Sequence, residues 1–232
     1  MTIVDAVRFE IAATGTIRAA VNMSNAALIR WDENTGALVG PSVEIAKRIG
    51  QELDRELSFI RYESAANILS AADAGEWDIG FIASDASRTD RFSFSPPYAS
   101  VDATYLVPQA LAIQRADEVD TEGIRIASAR SAAYTRQLER NLKKASVLHV
   151  DSPSAALDVL ARQECDAAAG LGQFLHNAAD RMKGFKVLDG AFSRIPQSVA
   201  VKKHAISASA FLADLIGRLH EAAPGEEEAA LN

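Results

Sequence analysis

Apolar and polar positions along this chain recur in two patterns, short apolar runs of strand length and longer stretches with helical spacing. Residues 17–21 read as a strand. Pro41 and Ser42 then open a helix through Leu53, with Val43, Ala46, Ile49 and Leu53 on one face. Residues 57–62 predict a second strand, 65–74 a helix closed by Gly75, and 78–83 a third strand. The order β-α-β-α-β implies parallel pairing with right-handed crossovers.

The same order returns further on. Residues 124–128 predict a strand, 132–142 a helix of good helix formers, and 147–150 a strand. Ser152 as cap and Pro153 at the first helical position open a helix through Arg162, and 165–170 form the third strand. Even the strand entries correspond, Gly75-Glu-Trp-Asp78 in one unit and Gln163-Glu-Cys-Asp166 in the other. Between the units, Thr104, Tyr105, Leu106 and Val107 form an extended run suited to crossing from one lobe to the other. After the second unit come a strand at 185–188, a loop at 190–196, a strand at 198–202 and a helix at 206–221. That helix turns Phe211, Leu212, Ile216 and Leu219 inward.

The predicted architecture is α/β with two βαβαβ lobes on two separate sheets. Residues 14–105 plus 199–232 form a discontinuous lobe 1, and 123–188 form lobe 2. Residues 106–122 and 189–198 connect them as a double hinge, with crossings near 105–108 and 189–196. The acidic end, 225–232, is expected to fray.

Composition narrows the function classes. Of 232 residues, 48% are hydrophobic and 24% charged, which is the profile of a globular protein. A net charge of −7 with no basic stripe excludes a nucleic-acid partner. Cys165 is the only cysteine, so no intrachain disulfide forms, and it reads as a small buried hydrophobe. No run approaches the roughly 20 apolar residues of a membrane helix, so no direct membrane insertion is expected. Asp5, Arg8 and Glu10 interrupt the amino terminus too early for a secretory signal. The expectation is a cytoplasmic chain or one whose leader has been removed.

The stretch 78–98, DIGFIASDASRTDRFSFSPPY, carries the most chemistry. An apolar strand stops abruptly in Ser84, Asp85, Ser87 and Arg88, at the strand end where open α/β sheets hold ligands. The guanidinium of Arg88 matches a carboxylate or phosphate, or else forms a surface ion pair with Asp85 or Asp90. Asp85 can orient that Arg, contact a ligand amine, or act as a base. Other strand ends offer Asn22, Ser24 and Asn25, then Ser64 and Asn67, in the first lobe. The second offers Ser128, Arg130, Ser131 and Tyr134, where a helix start makes an anion seat, and Gln173 after its third strand.

Catalytic and cofactor motifs are mostly missing. There is no Gly-x-Ser-x-Gly elbow, Walker loop or His-Glu-x-x-His helix. The four histidines, His149, His176, His204 and His220, are scattered without metal-ligand partners. Gly170-Leu-Gly172 is half of a dinucleotide fingerprint on the wrong strand, so no cofactor and no metal are implied. Asp32-Glu33 and Asp117-Glu118 are paired carboxylates in loop-like, solvated sequence.

Taken together these motifs resemble the small-solute, polar amino acid type of bacterial ABC-transporter substrate-binding proteins, extracellular solute-binding family 3. The matching segments are Gly15-Thr-Ile-Arg-Ala-Ala-Val21, Gly36-Ala-Leu-Val-Gly40 with its following helix, Gly75-Glu-Trp-Asp78, Arg88, and Phe94-Ser-Pro-Pro-Tyr98. The resemblance runs from about residue 14 to about 219. It implies a type II periplasmic-binding-protein-like fold, a monomer closing like a flytrap on one ligand and serving an ABC permease outside the cytoplasm. By resemblance Arg88 holds the ligand's carboxylate, helped by Ser131 or Ala132. The departures are a shortened loop before Arg88, Ala26 and Ala65 where aromatic rings usually sandwich the ligand, and Leu171 where an Asp usually takes its ammonium.

Three functions are therefore expected in competition. The first is binding a small carboxylate-bearing solute, an amino acid or related organic acid, without catalysis. A cyclohexadienyl-dehydratase-like enzyme is the second, with Asp85 as its candidate general acid. An intracellular ligand sensor is the third.

Overall fold

The computed structural model describes residues 2–222. Helix α1 (Ile3–Ile11), for which the hydrophobic pattern predicted no element, starts in a capping box between Thr2 and Asp5. It buries Val7 and Ile11 and turns Glu10 to the backbone N–H groups of Ser207 and Ala208. The first unit follows as β1 (Thr16–Asn22), a small hairpin of β2 (Arg30–Asp32) and β3 (Ala37–Val39), α2 (Pro41–Leu53), β4 (Glu56–Tyr62), α3 (Ala65–Asp73) and β5 (Ile79–Ala83). Then come β6 (Phe92–Phe94) and the long strand β7 (Ala99–Pro108). The second unit is β8 (Arg125–Ala129), α4 (Ala133–Asn141), β9 (Ser146–Val150), α5 (Pro153–Ala161), β10 (Ala167–Leu171) and α6 (Gly172–Arg181). The chain closes with β11 (Phe185–Val187), β12 (Ser193–Lys202) and α7 (Ile206–Ala222).

Each unit pairs its three strands in parallel with the first in the middle, β4-β1-β5 and β10-β8-β9. The matching strand entries do the same work in both. Asp78 accepts the N–H and Nε of Arg18, while its own N–H donates to the Arg18 carbonyl. Asp166 treats Arg125 identically, through its N–H, its Nε and its carbonyl. A carboxylate placed one residue before each third strand thus locks it beside the first strand.

Separate sheets were expected, and the structure corrects this. The ladder is continuous, β4-β1-β5-β12-β7-β10-β8-β9, because the two crossing strands pair antiparallel with each other. Strand β12 continues onto β5 from Gln197, and β7 continues onto β10 from Ala103. The cores nevertheless remain distinct. Ile17, Val43, Ile49, Val199 and Val201 share one cluster, while Val101, Tyr105, Ile126, Ala169 and Ile195 share another.

The hand-over on β7 therefore falls at 99–103, earlier than the expected 105–108, and residues 101–107 pack with the second core. The loop predicted at 190–196 is strand from Ser193 onward. Cys165 lies just before β10 and not in it, though it is buried as expected. The acidic end at 225–232 lies outside the described residues. Among the described residues no helix is long and apolar enough to cross a membrane.

Candidate functional site

Every strand of the two parallel triplets feeds one cleft from its carboxyl end. Asn22, Ser24 and Asn25 follow β1, Ser64 follows β4, and Ala83 and Arg88 end β5. From the other unit, Ser131 and Tyr134 follow β8, Asp151 follows β9, and Leu171 and Phe174 end β10. The cavity is about 50 Å³, room for on the order of four waters. Within each triplet the strands point the same way, and the two triplets run opposite to each other across β12 and β7, so the helices that follow them present their amino termini to the cleft from both units. The starts of α3, α4, α5 and α6 face the cleft through Ala65, Ala133, Pro153 and Leu171. Partial positive charge at four helix starts favours an anion.

Arg88 supplies the full charge. It closes a short 3-10 turn, Ala86–Arg88, and is only 5% exposed. One end of its fork donates to the Ala83 carbonyl at 3.0 Å and the other to the Ser131 carbonyl of the second unit at 2.9 Å. Its Nε is buried and finds no acceptor among the described residues. Burial, and then the neighbouring Arg136, pull its pKa down to about 10, partly offset by Asp85. It remains a cation at neutral pH, without a carboxylate bonded to it.

Asp85, three residues away, is not that partner. Its Oδ1 accepts from the Ser87 N–H and hydroxyl, and its Oδ2 accepts from Arg136 Nε at 2.9 Å on α4. Burial raises the Asp85 carboxyl, but the bonds from Ser87 and Arg136 outweigh it and hold the group below the usual carboxylate range. The surface-pair reading of Arg88 with Asp85 or Asp90 is corrected: no ion pair joins them, and Arg88 is buried.

The structure brings together Asn22, Ser24, Asn25, Ser64, Arg88, Ser131 and Tyr134 of the predicted residues. Ser84, Asp85, Asn67, Ser128, Arg130 and Gln173 do not line the cleft. Ser84 gives its N–H to the Pro196 carbonyl, and Asp85 is turned to Arg136. Asn67 is held by the Ser64 hydroxyl in the cap of α3. Gln173 is exposed and donates to Asn177 on α6. Successive residues on a helix diverge by about 100°, so Phe174 takes the inward place that Gln173 does not. Among the lining residues that were not predicted are Phe174, Asp151 and Gln197. Asp151 was findable by the strand-end rule, and Gln197 as a polar residue beside an apolar run.

The dehydratase-like alternative loses its candidate acid by the same geometry. Asp85 does not line the cleft, and its carboxyl is held ionised. No group of three or more potential metal-ligating side chains occurs among the described residues.

Fold and cleft define a type II periplasmic-binding-protein-like molecule, two α/β units meeting over one cleft. The chain belongs to the bacterial extracellular solute-binding proteins, family 3, whose family model matches residues 17–206. Solved structures share the fold. Holo ArgBP from T. maritima superposes with a TM-score of 0.73 at 19% identity, covering 91% of this chain and 93% of that one. An amino acid ABC transporter substrate-binding protein from Streptococcus pneumoniae bound to L-arginine gives 0.72 at 19%, over 91% and 92%. An ancestral amino acid-binding protein described as a precursor of cyclohexadienyl dehydratase gives 0.71 at 19%, over 95% and 94%. No curated protein matches the sequence.

Proposed function

We propose that this chain binds a small carboxylate-bearing solute between its two units and delivers it to an ABC permease outside the cytoplasm. One observation carries the reading: Arg88 is a buried cation whose Nε has no partner among the described residues. A buried charge is stable when paired, and a carboxylate is the group that matches a guanidinium fork. The helix starts around the cleft support the same sign of charge. Family membership and its amino-acid-transporter relatives support transport as the purpose. Residues 14–98 with 199–222 act as one lobe and 106–188 as the other, hinging on β7 and β12. Contacts from both lobes to one ligand favour the closed form.

Titration calorimetry of wild type and Arg88→Ala with a panel of small carboxylates tests this. The variant is expected to lose about 2–5 kcal/mol of binding, since a desolvated carboxylate is left without its partner. Arg88→Lys recovers only part, because a point charge cannot reproduce two parallel bonds. Equal affinities in wild type and Arg88→Ala overturn the assignment.

A further inference from the structure

Charge balance in the cleft narrows the ligand further, given the reading of Arg88 as its carboxylate anchor. We propose that the cleft selects a small monoanionic α-hydroxy acid over the α-amino acid of the same skeleton.

The cationic side of the site is over-supplied. Arg88 is buried without a carboxylate, and the charges of Arg136 and Asp85 cancel in their own ion pair. Among the described lining residues the only carboxyl is Asp151, which is exposed. An α-ammonium sits one carbon from the carboxylate, within about 3 Å of it. It would be buried wherever the carboxylate meets Arg88, while the one lining carboxylate, Asp151, is exposed to water that screens it. There it faces the Arg88 cation and the positive starts of four helices, with no buried carboxylate among the lining residues to neutralise it. Burying an unpaired cation is costly, and a zwitterion leaves the site with net positive charge. A monoanion leaves it neutral.

The polar side of the site asks for a donor. Asn25 is 4% exposed, and its Oδ1 is buried with no partner among the described residues. The orientation of its amide follows from its neighbours. Asn25 Nδ2 donates to Gln197 Oε1 at 3.3 Å, and Gln197 Nε2 donates to the Ile195 carbonyl at 3.2 Å. This relay ends in an acceptor, so the complement is a donor, and an O–H supplies one without adding a positive charge. Tyr134 Oη is buried and unpartnered too, and can donate to the carboxylate or to the hydroxyl oxygen. Leu171, Phe174 and Ile195 leave apolar walls for a small aliphatic or aryl substituent.

Calorimetry of the full chain at neutral pH with matched pairs decides the matter: lactate and alanine, α-hydroxyisovalerate and valine, α-hydroxyisocaproate and leucine, phenyllactate and phenylalanine, each as both enantiomers. At least one hydroxy acid is expected to bind about tenfold or more tightly than its amino partner. In Asn25→Leu, checked for folding by circular dichroism, the advantage of that hydroxy acid over its deoxy analogue should disappear. An amino acid that equals or exceeds its hydroxy partner in every pair that binds overturns this inference and leaves the carboxylate reading standing. If no carboxylate in the panel binds, the carboxylate reading itself fails, and the inference with it.

Discussion

Arg88 shows how much one side chain can decide. Its position at the end of an apolar strand was legible, because an apolar run that stops in Ser84 and Asp85 marks a strand terminus. Its partners were not. Proximity in sequence suggested Asp85, yet Asp85 caps the 3-10 turn that carries Arg88 and spends its other oxygen on Arg136, 51 residues away. The unpartnered cation has a consequence for stability. Its two bonds go to neutral carbonyls, which do not offset full desolvation of a charge. Arg88→Met, measured without added ligand, should therefore be within about 1 kcal/mol of wild type or more stable than it. A loss of several kcal/mol in chemical denaturation would mean that the cation is paired in solution after all.

At the scale of elements, periodicity served well where helices and strands had polar boundaries. Helix α2 begins at Pro41 and ends at Leu53, as the spacing of Val43, Ala46, Ile49 and Leu53 predicted. It failed where an element lacked such punctuation. Helix α6 starts at Gly172 directly from β10, with Leu171 as its cap, so no polar break marks the change. Pro196 argued against a strand, because proline cannot donate to a ladder. In β12 it is opposite Ser100, and its carbonyl still accepts from the Ser84 N–H.

The repeated strand entries yield an element-scale prediction. Gly75 has φ +67°, and the corresponding Gln163 holds φ +59°, a conformation that costs a side-chain-bearing residue about 1–2 kcal/mol. Gln163→Gly gives back part of that gain in unfolded-state entropy, roughly 0.5–1 kcal/mol. A net stabilisation of up to about 1 kcal/mol is expected in urea denaturation. Destabilisation would mean that the Gln163 side chain contributes packing that outweighs its backbone strain.

The whole molecule is two units joined by two strands, and the closure proposed above rests on contacts between them. Asp85 on the first unit and Arg136 on the second form such a contact, with side chains 8% and 22% exposed. Asp85→Asn should weaken the closed form by about 1.5–3 kcal/mol, since Arg136 loses its charged partner. Small-angle scattering of the unliganded variant should then show a larger radius of gyration than wild type. An unchanged radius would show that the pair does not hold the units together.

The pH dependence has a definite sign. The folded state holds the Asp85 carboxyl below its ordinary value, so its contribution is complete above about pH 4 and is lost as pH falls through the folded pKa. Opening by this route belongs to acid, and scattering between neutral pH and pH 5 should not change because of it.

What the sequence determined by itself is local and periodic. Apolar spacing defined nearly all the strands and helices of both parallel triplets, and the abrupt end of each apolar run located the strand termini. Parallel pairing brings the termini of each triplet to one end, and the antiparallel crossing strands set the two triplets against each other, so seven of the predicted residues meet in one cleft. Only the tertiary structure decided which side chains neutralise each other and which are left over. Arg136 reaches Asp85, the Gln197 relay reaches Asn25, and β7 reaches β12 across long stretches of chain. These are long-range pairings between side chains or strand edges, which no periodicity encodes, and they leave the cleft with a cation in search of an anion.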